Sequence, residues 1–179
     1  GLSDFSRVLT PEADAYVRDG EPLLNHGTAG FLRCKYDSGG SFTRQAYLRF
    51  DLADVRGIIE SAILRLKATS VNGRGDTHTA HAVSDDAWGE NSITWSSRPA
   101  LGAALDSAAH GGTGAWVEWD VTEQVAAESA GDRLFSTALV SDGSVLVEYG
   151  SRESISNAPQ LVVQSDWAYG AWSNRYALT

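Results

Sequence analysis

Short runs in which apolar and polar residues alternate recur about every 10–15 residues along this chain, separated by clusters of Gly, Ser, Asp and Asn. A period of two residues sends alternate side chains to opposite faces of a β-strand, and many short strands at such spacing are typical of a sandwich or barrel. The pattern predicts an all-β fold, an antiparallel β-sandwich of jelly-roll type. The nine predicted strands are 13–18, 31–37, 44–52, 61–71, 77–84, 115–121, 134–141, 145–151 and 159–164.

The run 44–52 shows this alternation most clearly, and it assigns Leu48 and Phe50 to the interior. One short helix is predicted over residues 121–130, because Thr122 can cap its first turn and Gly131 can end it. The fold class is therefore an all-β sandwich with a single helix.

The chain has 179 residues, of which 42% are hydrophobic and 21% charged, and these values fit one globular domain. We assign residues 1–164 to the sandwich and residues 165–179 to a C-terminal extension of unknown role. That extension carries four large aromatic side chains, at Trp167, Tyr169, Trp172 and Tyr176, which a flexible linker rarely contains.

Net charge and segment hydropathy exclude several classes of partner. Fourteen basic and 23 acidic residues give a net charge of −9, which disfavours binding to nucleic acid or to an anionic membrane. No apolar run approaches the roughly 18–20 residues of a membrane span, so membrane insertion is not expected. The single cysteine, Cys34, cannot form an internal disulfide, and methionine is absent even at position 1. We therefore expect a piece of a longer protein, and a secreted parent would fit.

Basic residues are concentrated in one part of the chain. Residues 33–67 hold seven of the 14 Lys and Arg side chains but only four of the 23 acids. If strands 31–37 and 44–52 pair through the glycine-rich turn between them, their outward side chains share one surface. That surface is either an ordinary charged sheet face or a groove for a linear polyanion, whose carboxylates arginine forks match. The candidate ligand contacts are Arg33, Lys35, Arg44, Tyr47 and Arg49, with Arg65, Lys67 and Arg152 peripheral.

Tryptophans offer a second kind of sugar contact, although in a β-sandwich they equally well fill the core. Parity sends Trp119 inward and Trp116 outward, so Trp116 is the better platform, whereas Trp88 and Trp95 are left open.

Metal and catalytic signals are weak. His78 and His81 point to opposite faces of a strand and cannot share a metal ion. No cofactor is required, and a structural calcium ion is an open alternative. The motifs of serine hydrolases, P-loop proteins and zinc proteases are all missing, which favours binding over catalysis. The carboxylates considered for calcium are Asp14, Asp19, Asp85, Asp86 and Asp120, and their spacing selects no set.

Several segments, taken in order, resemble a known family. They are 13–20 (ADAYVRDG), 25–28 (NHGT), 44–52 (RQAYLRFDL), 86–90 (DAWGE), 93–102 (ITWSSRPALG), 116–122 (WVEWDVT), 151–153 (SRE) and 159–161 (PQL). Their order and spacing resemble DNRLRE-type domains, which include carbohydrate-binding module family 96.

The resemblance implies a noncatalytic jelly-roll module of a secreted or cell-surface bacterial protein, attached to polysaccharide-degrading domains, with alginate or another polyuronate as its ligand. Two alternatives stay open. One is a polysaccharide lyase of the jelly-roll class, and the other is a structural or adhesion module with no glycan affinity.

Overall fold

A computed structural model describes residues 4–166 as two antiparallel sheets and one helix. The sandwich architecture and its single short helix are confirmed. The elements are β1 Asp4–Leu9, β2 Ala13–Arg18, β3 Phe31–Cys34, β4 Arg44–Asp51, β5 Ile58–Val71, β6 Thr77–Val83, β7 Ala104–Ala109, β8 Trp116–Asp120, α1 Thr122–Ala130, β9 Leu134–Ser141, β10 Val147–Gly150 and β11 Gln160–Asp166.

The six-stranded sheet has the order β1-β11-β5-β10-β3, with β8 paired to β5, and the five-stranded sheet has the order β2-β4-β9-β6-β7. The inward residues of β5 and β4 meet between the sheets; Leu64, Leu66, Leu48 and Phe50 are all fully buried. This places Leu48 and Phe50 in the core, as their parity predicts. The stacked pair Phe50–Phe135 lies in the same cluster.

Two observed strands, β1 and β7, were not among the nine predicted. Both are edge strands with one pairing neighbour each. In β7 most side chains are small or polar and half-exposed or exposed, so no apolar alternation marks it. In β1 the polar Arg7 occupies a position between Phe5 and Leu9 and breaks the apolar pattern.

The predicted hairpin between 31–37 and 44–52 is wrong. Strand β3 belongs to the six-stranded sheet and β4 to the five-stranded sheet, and the chain crosses between them over residues 35–43. A single bridge, Lys35 to Arg44, is the pairing that joins the two segments. Alternation records which side chains share a face of a strand, but it carries no information about which strand becomes the neighbour.

The two ends of the chain have different standing. Strand β11 continues to Asp166, two residues past the predicted boundary at 164, and pairs with β1. The predicted aromatic extension otherwise lies outside the described residues. Within residues 4–166, no helix is long and apolar enough to cross a membrane.

Candidate functional site

The eight predicted contact residues lie in four places rather than on one surface. The placement follows from the strand assignment and the contacts of each side chain. Arg33, Lys35 and Arg44 lie where β3 meets β2; Tyr47 and Arg49 lie on the outer face of the five-stranded sheet; Arg65 and Lys67 lie on the outer face of the six-stranded sheet; Arg152 lies in the loop after β10.

Tyr47 and Arg49 are not available as exposed contacts. Residues 84–103 cover the outer face of β4, and Tyr47 is fully buried there, with its hydroxyl donating to the carbonyl of Pro99 at 2.9 Å. The guanidinium of Arg49 donates to the carbonyls of Asp86 and Trp88 and pairs with Glu12. Their outward parity is right, but a loop occupies the space outside them.

Arg152 is exposed, but its charge is already paired. Its Nη1 lies 3.0 Å from Oε2 of Glu90, and its Nε donates to the carbonyl of Pro11 at 3.2 Å. These contacts tie the loop after β10 to the covering loop and to the start of β2, so the guanidinium has a structural role.

A cluster of cations and rings fills the edge where β2 of one sheet meets β3 of the other. We call it the arginine seam and define it as the cations Arg18, Arg33, Lys35 and Arg44 with the rings of Tyr16, Phe31 and Phe42. Three of the cations, Arg18, Lys35 and Arg44, lie 4.7, 5.5 and 5.7 Å from the centroid of the Phe42 ring. The seam therefore joins positive charge to an aromatic surface, and Phe42 is 47% exposed.

Arg33 connects the seam to the six-stranded sheet. Its guanidinium lies 4.4 Å from the centroid of Phe31 and pairs with Glu148 of the neighbouring strand at 3.0 Å. Its Nη1 also approaches the hydroxyl of Tyr16 at 3.5 Å. Glu148 and Arg33 stand directly opposite each other in the β10–β3 register, so sheet pairing fixes this contact.

The surroundings of Arg44 disfavour its positive charge. Burial, together with the positive charges of Arg18 and Arg33, lowers the pKa of Arg44. Its Nε has no hydrogen-bond partner among the described residues, while its Nη1 donates to the carbonyl of Phe42 at 3.0 Å. Arg44 is only 7% exposed, so it adds positive charge beneath the seam, and the more exposed Arg18, Arg33 and Lys35 are the cations that an anion can reach.

Acidic side chains lie among the cations of the seam and pair with some of them. Glu21 pairs with Arg18 at 2.8 Å and Glu148 with Arg33, while Lys35 forms no ion pair within the described range. Asp37 stays ionised because the N–H of Ser41 and other backbone groups lower its pKa, with Lys35 adding a smaller effect. Four carboxylates lie beside the four cations, since Asp19 also accepts the N–H of Thr43 here, and Lys35 is the more exposed of the two cations without an ion pair among residues 4–166.

Sequence reasoning missed Arg18, Tyr16, Phe31 and Phe42. Arg18 and Arg44 are opposite each other in the β2–β4 register, on the side that faces the seam. This contact depends on the pairing of β2 with β4. It was not predicted, because β3 was expected to be the neighbour of β4. The sequence offers one signal for this aromatic contact, which is a phenylalanine, Phe42, next to a glycine- and serine-rich turn.

A second basic and aromatic surface lies on the outer face of the six-stranded sheet. Arg65 stacks 4.5 Å from the centroid of Trp116 and donates to Gln160 at 3.0 Å. Lys67 is opposite Trp116 in the β5–β8 register. Trp116 is half-buried on this face, in agreement with its outward parity, whereas Trp119 is fully buried.

The other two tryptophans of residues 4–166, Trp88 and Trp95, belong to the covering loop. The ring of Trp88 is buried against the five-stranded sheet, and its indole N–H donates to Ser136 at 3.3 Å. Trp95 packs against the buried cluster that contains Tyr47 and Trp88, and the guanidinium of Arg98 lies 3.6 Å from the centroid of its ring.

The five aspartates considered for calcium do not meet in one site. Asp19 accepts the N–H of Thr43, Asp85 that of Ala87 and Asp120 that of Thr122. The other two lie in separate acidic groups, Asp14 with Glu90 and Glu153, and Asp86 with Glu128 and Asp132. Burial raises the pKa of Asp14 to about 8 and that of Asp86 to about 6.

A groove of about 910 Å³ lies beside the start of α1, and acids line it. Glu60, Asp106, Asp120 and Glu123 are among its lining residues. This charge disfavours an anionic ligand in the groove and directs attention to the seam.

The fold and the surface define a β-sandwich module with a basic and aromatic edge. Among known protein families, carbohydrate-binding module family 96 matches residues 6–165 of this chain. The chain belongs to that family. A gellan lyase from Bacillus sp is 30% identical over 166 residues, covering 87% of this chain. The chain spans about 6% of the length of that enzyme.

Proposed function

We propose that this chain is a noncatalytic module that binds an acidic polysaccharide, with alginate as the first candidate ligand, and that the arginine seam is its contact surface. The observation that carries the proposal is the grouping of Arg18, Lys35 and Arg44 around one exposed ring, that of Phe42. The chain has a net charge of −9, so an anionic polysaccharide has to be held by local cations such as these.

The chemistry of the seam matches a chain of uronates. Each guanidinium or ammonium can meet one carboxylate, and a hydrogen bond between charged groups contributes roughly 1.5–3 kcal/mol. Phe42 and the nearby Tyr36, which is 49% exposed, offer apolar surface to sugar rings. Because these contacts lie near water, affinity is modest and falls as salt rises, and several modules in one parent would be needed for tight attachment.

The family supports a carbohydrate ligand, and two observations bear on which one. The seam favours an anionic chain over a neutral glucan. The gellan lyase relative adds gellan to the polysaccharides worth testing beside alginate. We therefore propose an acidic polysaccharide as the class, and we name alginate first because it is the ligand that the family resemblance implies.

Affinity electrophoresis tests this proposal. The wild-type chain should be retarded in gels that contain alginate or gellan and should migrate normally in a neutral β-glucan. Lys35→Ala should reduce the retardation. Arg56→Ala is the matched control, because it removes one exposed cation near the start of β5, whereas the seam adjoins the end of the sheet where β5 meets β10.

Three results would contradict the proposal. Equal retardation of Lys35→Ala and wild type would place the site elsewhere, and equal loss in Arg56→Ala would reduce the effect to net charge. Absence of retardation in every gel would favour a structural or adhesion module.

Catalysis is tested separately, because a lyase would also bind its substrate. Incubation with alginate should produce no absorbance from unsaturated uronates. The His78–Tyr149 pair, joined at 2.8 Å, has the residue types of a proton-transfer pair but is fully buried, away from any polymer. A rise in absorbance would establish a lyase and overturn the noncatalytic assignment.

We propose further that the module is part of a larger secreted or cell-surface bacterial protein that degrades polysaccharide. Support comes from the relative, an enzyme named for lyase activity in which the matched region is a small fraction of the length. An immunoblot of culture supernatant and cells from the source organism would test this. A band of about 19 kDa confined to the cell interior would contradict it.

A further inference from the structure

Three carboxylates outside the arginine seam converge from separate segments of the chain. Asp14 comes from β2, Glu90 from the loop that covers the five-stranded sheet, and Glu153 from the loop between β10 and β11. Each offers an oxygen within 4.8 Å of the other two. That separation is about twice the Ca²⁺–oxygen distance of roughly 2.4 Å, so one ion can contact all three.

An unpartnered buried oxygen provides a second and independent observation. Asp14 is 1% exposed, and its Oδ2 accepts the backbone N–H of Arg152 at 2.8 Å. Its Oδ1 has no hydrogen-bond partner among residues 4–166. A buried carboxylate oxygen without a donor is costly, and such groups are normally paired or bound to a metal ion.

The surrounding residues hold Glu90 in place. Asn25 donates to the carbonyls of Glu90 and Ile93 at 2.8 Å, which fixes the backbone at this point of the loop. A side chain at Gly27 would collide with the Glu90 carbonyl, since an added Cβ would lie 2.0 Å from it. Oε1 of Glu90 accepts both the backbone N–H of Asp14 and the guanidinium of Arg152, whereas Oε2 accepts from Arg152 alone and keeps lone-pair capacity for a metal ion.

The charges at this point match a divalent cation. Three carboxylates and the guanidinium of Arg152 leave a local charge of −2 when all are ionised. Because burial raises the pKa of Asp14 to about 8, a bound cation near pH 7 displaces a proton from Asp14. The three ligating groups supply oxygen and no nitrogen or sulfur, which favours calcium or magnesium over zinc. Ligands on three separate segments form a set with adjustable geometry, which suits calcium better than the strict octahedron that magnesium demands.

We propose that Asp14, Glu90 and Glu153 bind one calcium ion, with water completing its coordination. The ion ties β2 to the two loops that carry the other ligands. One of these loops covers Tyr47 and Arg49, so the site stabilises the cover over the five-stranded sheet. It has no part in glycan contact in this account, and its test is independent of the proposed function.

Isothermal titration calorimetry of the metal-stripped chain with CaCl₂ tests the proposal. One ion per chain should bind, and excess MgCl₂ should not displace it. Saturation at about 100 times Kd should raise Tm by about 5–10 °C, and a chelator should reverse the shift. Asp14→Asn and Glu153→Gln should each weaken calcium affinity at least tenfold. Because Glu153 is exposed, its variant keeps the test valid even if Asp14→Asn folds poorly.

The second acidic group provides the matched control. Asp132→Asn alters the Asp86–Glu128–Asp132 set, which has the same number of carboxylates but is half-buried or exposed. This variant should bind calcium as the wild type does. The proposal is overturned if the wild type binds no calcium, if Glu153→Gln binds as tightly as wild type, if magnesium displaces calcium, or if Asp132→Asn alone loses the ion.

Discussion

The outer faces of the two sheets differ in whether a loop covers them. On the five-stranded sheet, residues 84–103 cover the strands, and Trp88 of this loop packs against Tyr47, which is buried although it lies outside the space between the sheets. On the six-stranded sheet, Arg65 and Trp116 stay partly open to solvent. Strand alternation treats both sets alike, and the difference shows that an outward side chain becomes a surface only when no later segment covers it.

The largest expected effect comes from the covered face. Tyr47→Ala removes a fully buried ring that packs against Trp88 and donates to Pro99, so the free energy of unfolding should fall by about 3–5 kcal/mol. Tyr47→Phe should lose only about 1 kcal/mol, because it keeps the ring. Urea unfolding measures both. A Tyr47→Ala variant as stable as wild type would mean that the loop does not cover the face in solution.

The buried His78, between the two sheets, should lower the free energy of unfolding by about 3 kcal/mol as the pH falls from 6.5 to 4. Burial lowers the pKa of His78 from 6.5 to about 4, with His110 adding to the effect. The folded state therefore favours the neutral ring. The contribution of the neutral His78 to stability is fully present above pH 6.5. It declines by about 1.4 kcal/mol per pH unit as the pH falls toward 4.

Because the raised pKa values of Asp14 and Asp86 act in the opposite direction in both proteins, the test is the difference between them. Between pH 7 and pH 5, the free energy of urea unfolding should fall by about 2 kcal/mol more in the wild type than in His78→Gln. The half-buried His81 is the control, since His81→Gln should keep the wild-type slope. If His78→Gln and wild type lost the same stability between the two pH values, His78 would not be the group responsible.

A matched pair of tryptophans compares the two faces directly. Trp116→Ala should cost about 1–2 kcal/mol, because the ring is half-buried and its contact with Arg65 contributes only about 0.5–1 kcal/mol. Trp88→Ala should cost about 3–5 kcal/mol, because the ring projects from the covering loop and is buried against Tyr47 of the sheet. Thermal unfolding of the two variants measures the difference, and equal Tm losses would remove the contrast between the faces.

The smallest stability effect should be at the seam. Lys35→Ala should change the free energy of unfolding by no more than about 0.5 kcal/mol, because the side chain is half-buried and makes no ion pair in the described part of the chain. Its effect should instead be on alginate affinity. A large loss of stability would give Lys35 a structural role and would make its binding defect uninformative.

The core could be predicted from sequence because burial selects apolar residues on one side of each strand. Leu48, Phe50 and Trp119 are therefore inward as expected. The helix was predictable because Gly131 ends it, but the predicted cap is wrong: Thr122 is the first helical residue, the N-cap is Val121 without a side-chain hydrogen bond, and the Thr122 hydroxyl donates to Asp120. The edge strands β1 and β7 were missed, because one-sided pairing and partial exposure select weakly for apolar residues.

The candidate site was only partly predictable, because it depends on contacts between distant segments. Arg33, Lys35 and Arg44 do lie near one another, but they meet Arg18 and Phe42 through a crossing between sheets, not through a hairpin. Tyr47 and Arg49 were assigned to the same surface because nothing in the local pattern of residues 84–103 indicates which face that loop covers.

The central claim, that the arginine seam and not another surface binds an acidic polysaccharide, can be tested by titrating a ¹⁵N-labelled chain with alginate oligosaccharides. Binding at the seam should shift the amide signals of Arg18 and residues 31–44 and leave the indole N–H signals of Trp88 and Trp119 unmoved. Changes confined to residues 65–67 and 116–118, or no changes at all, would contradict it.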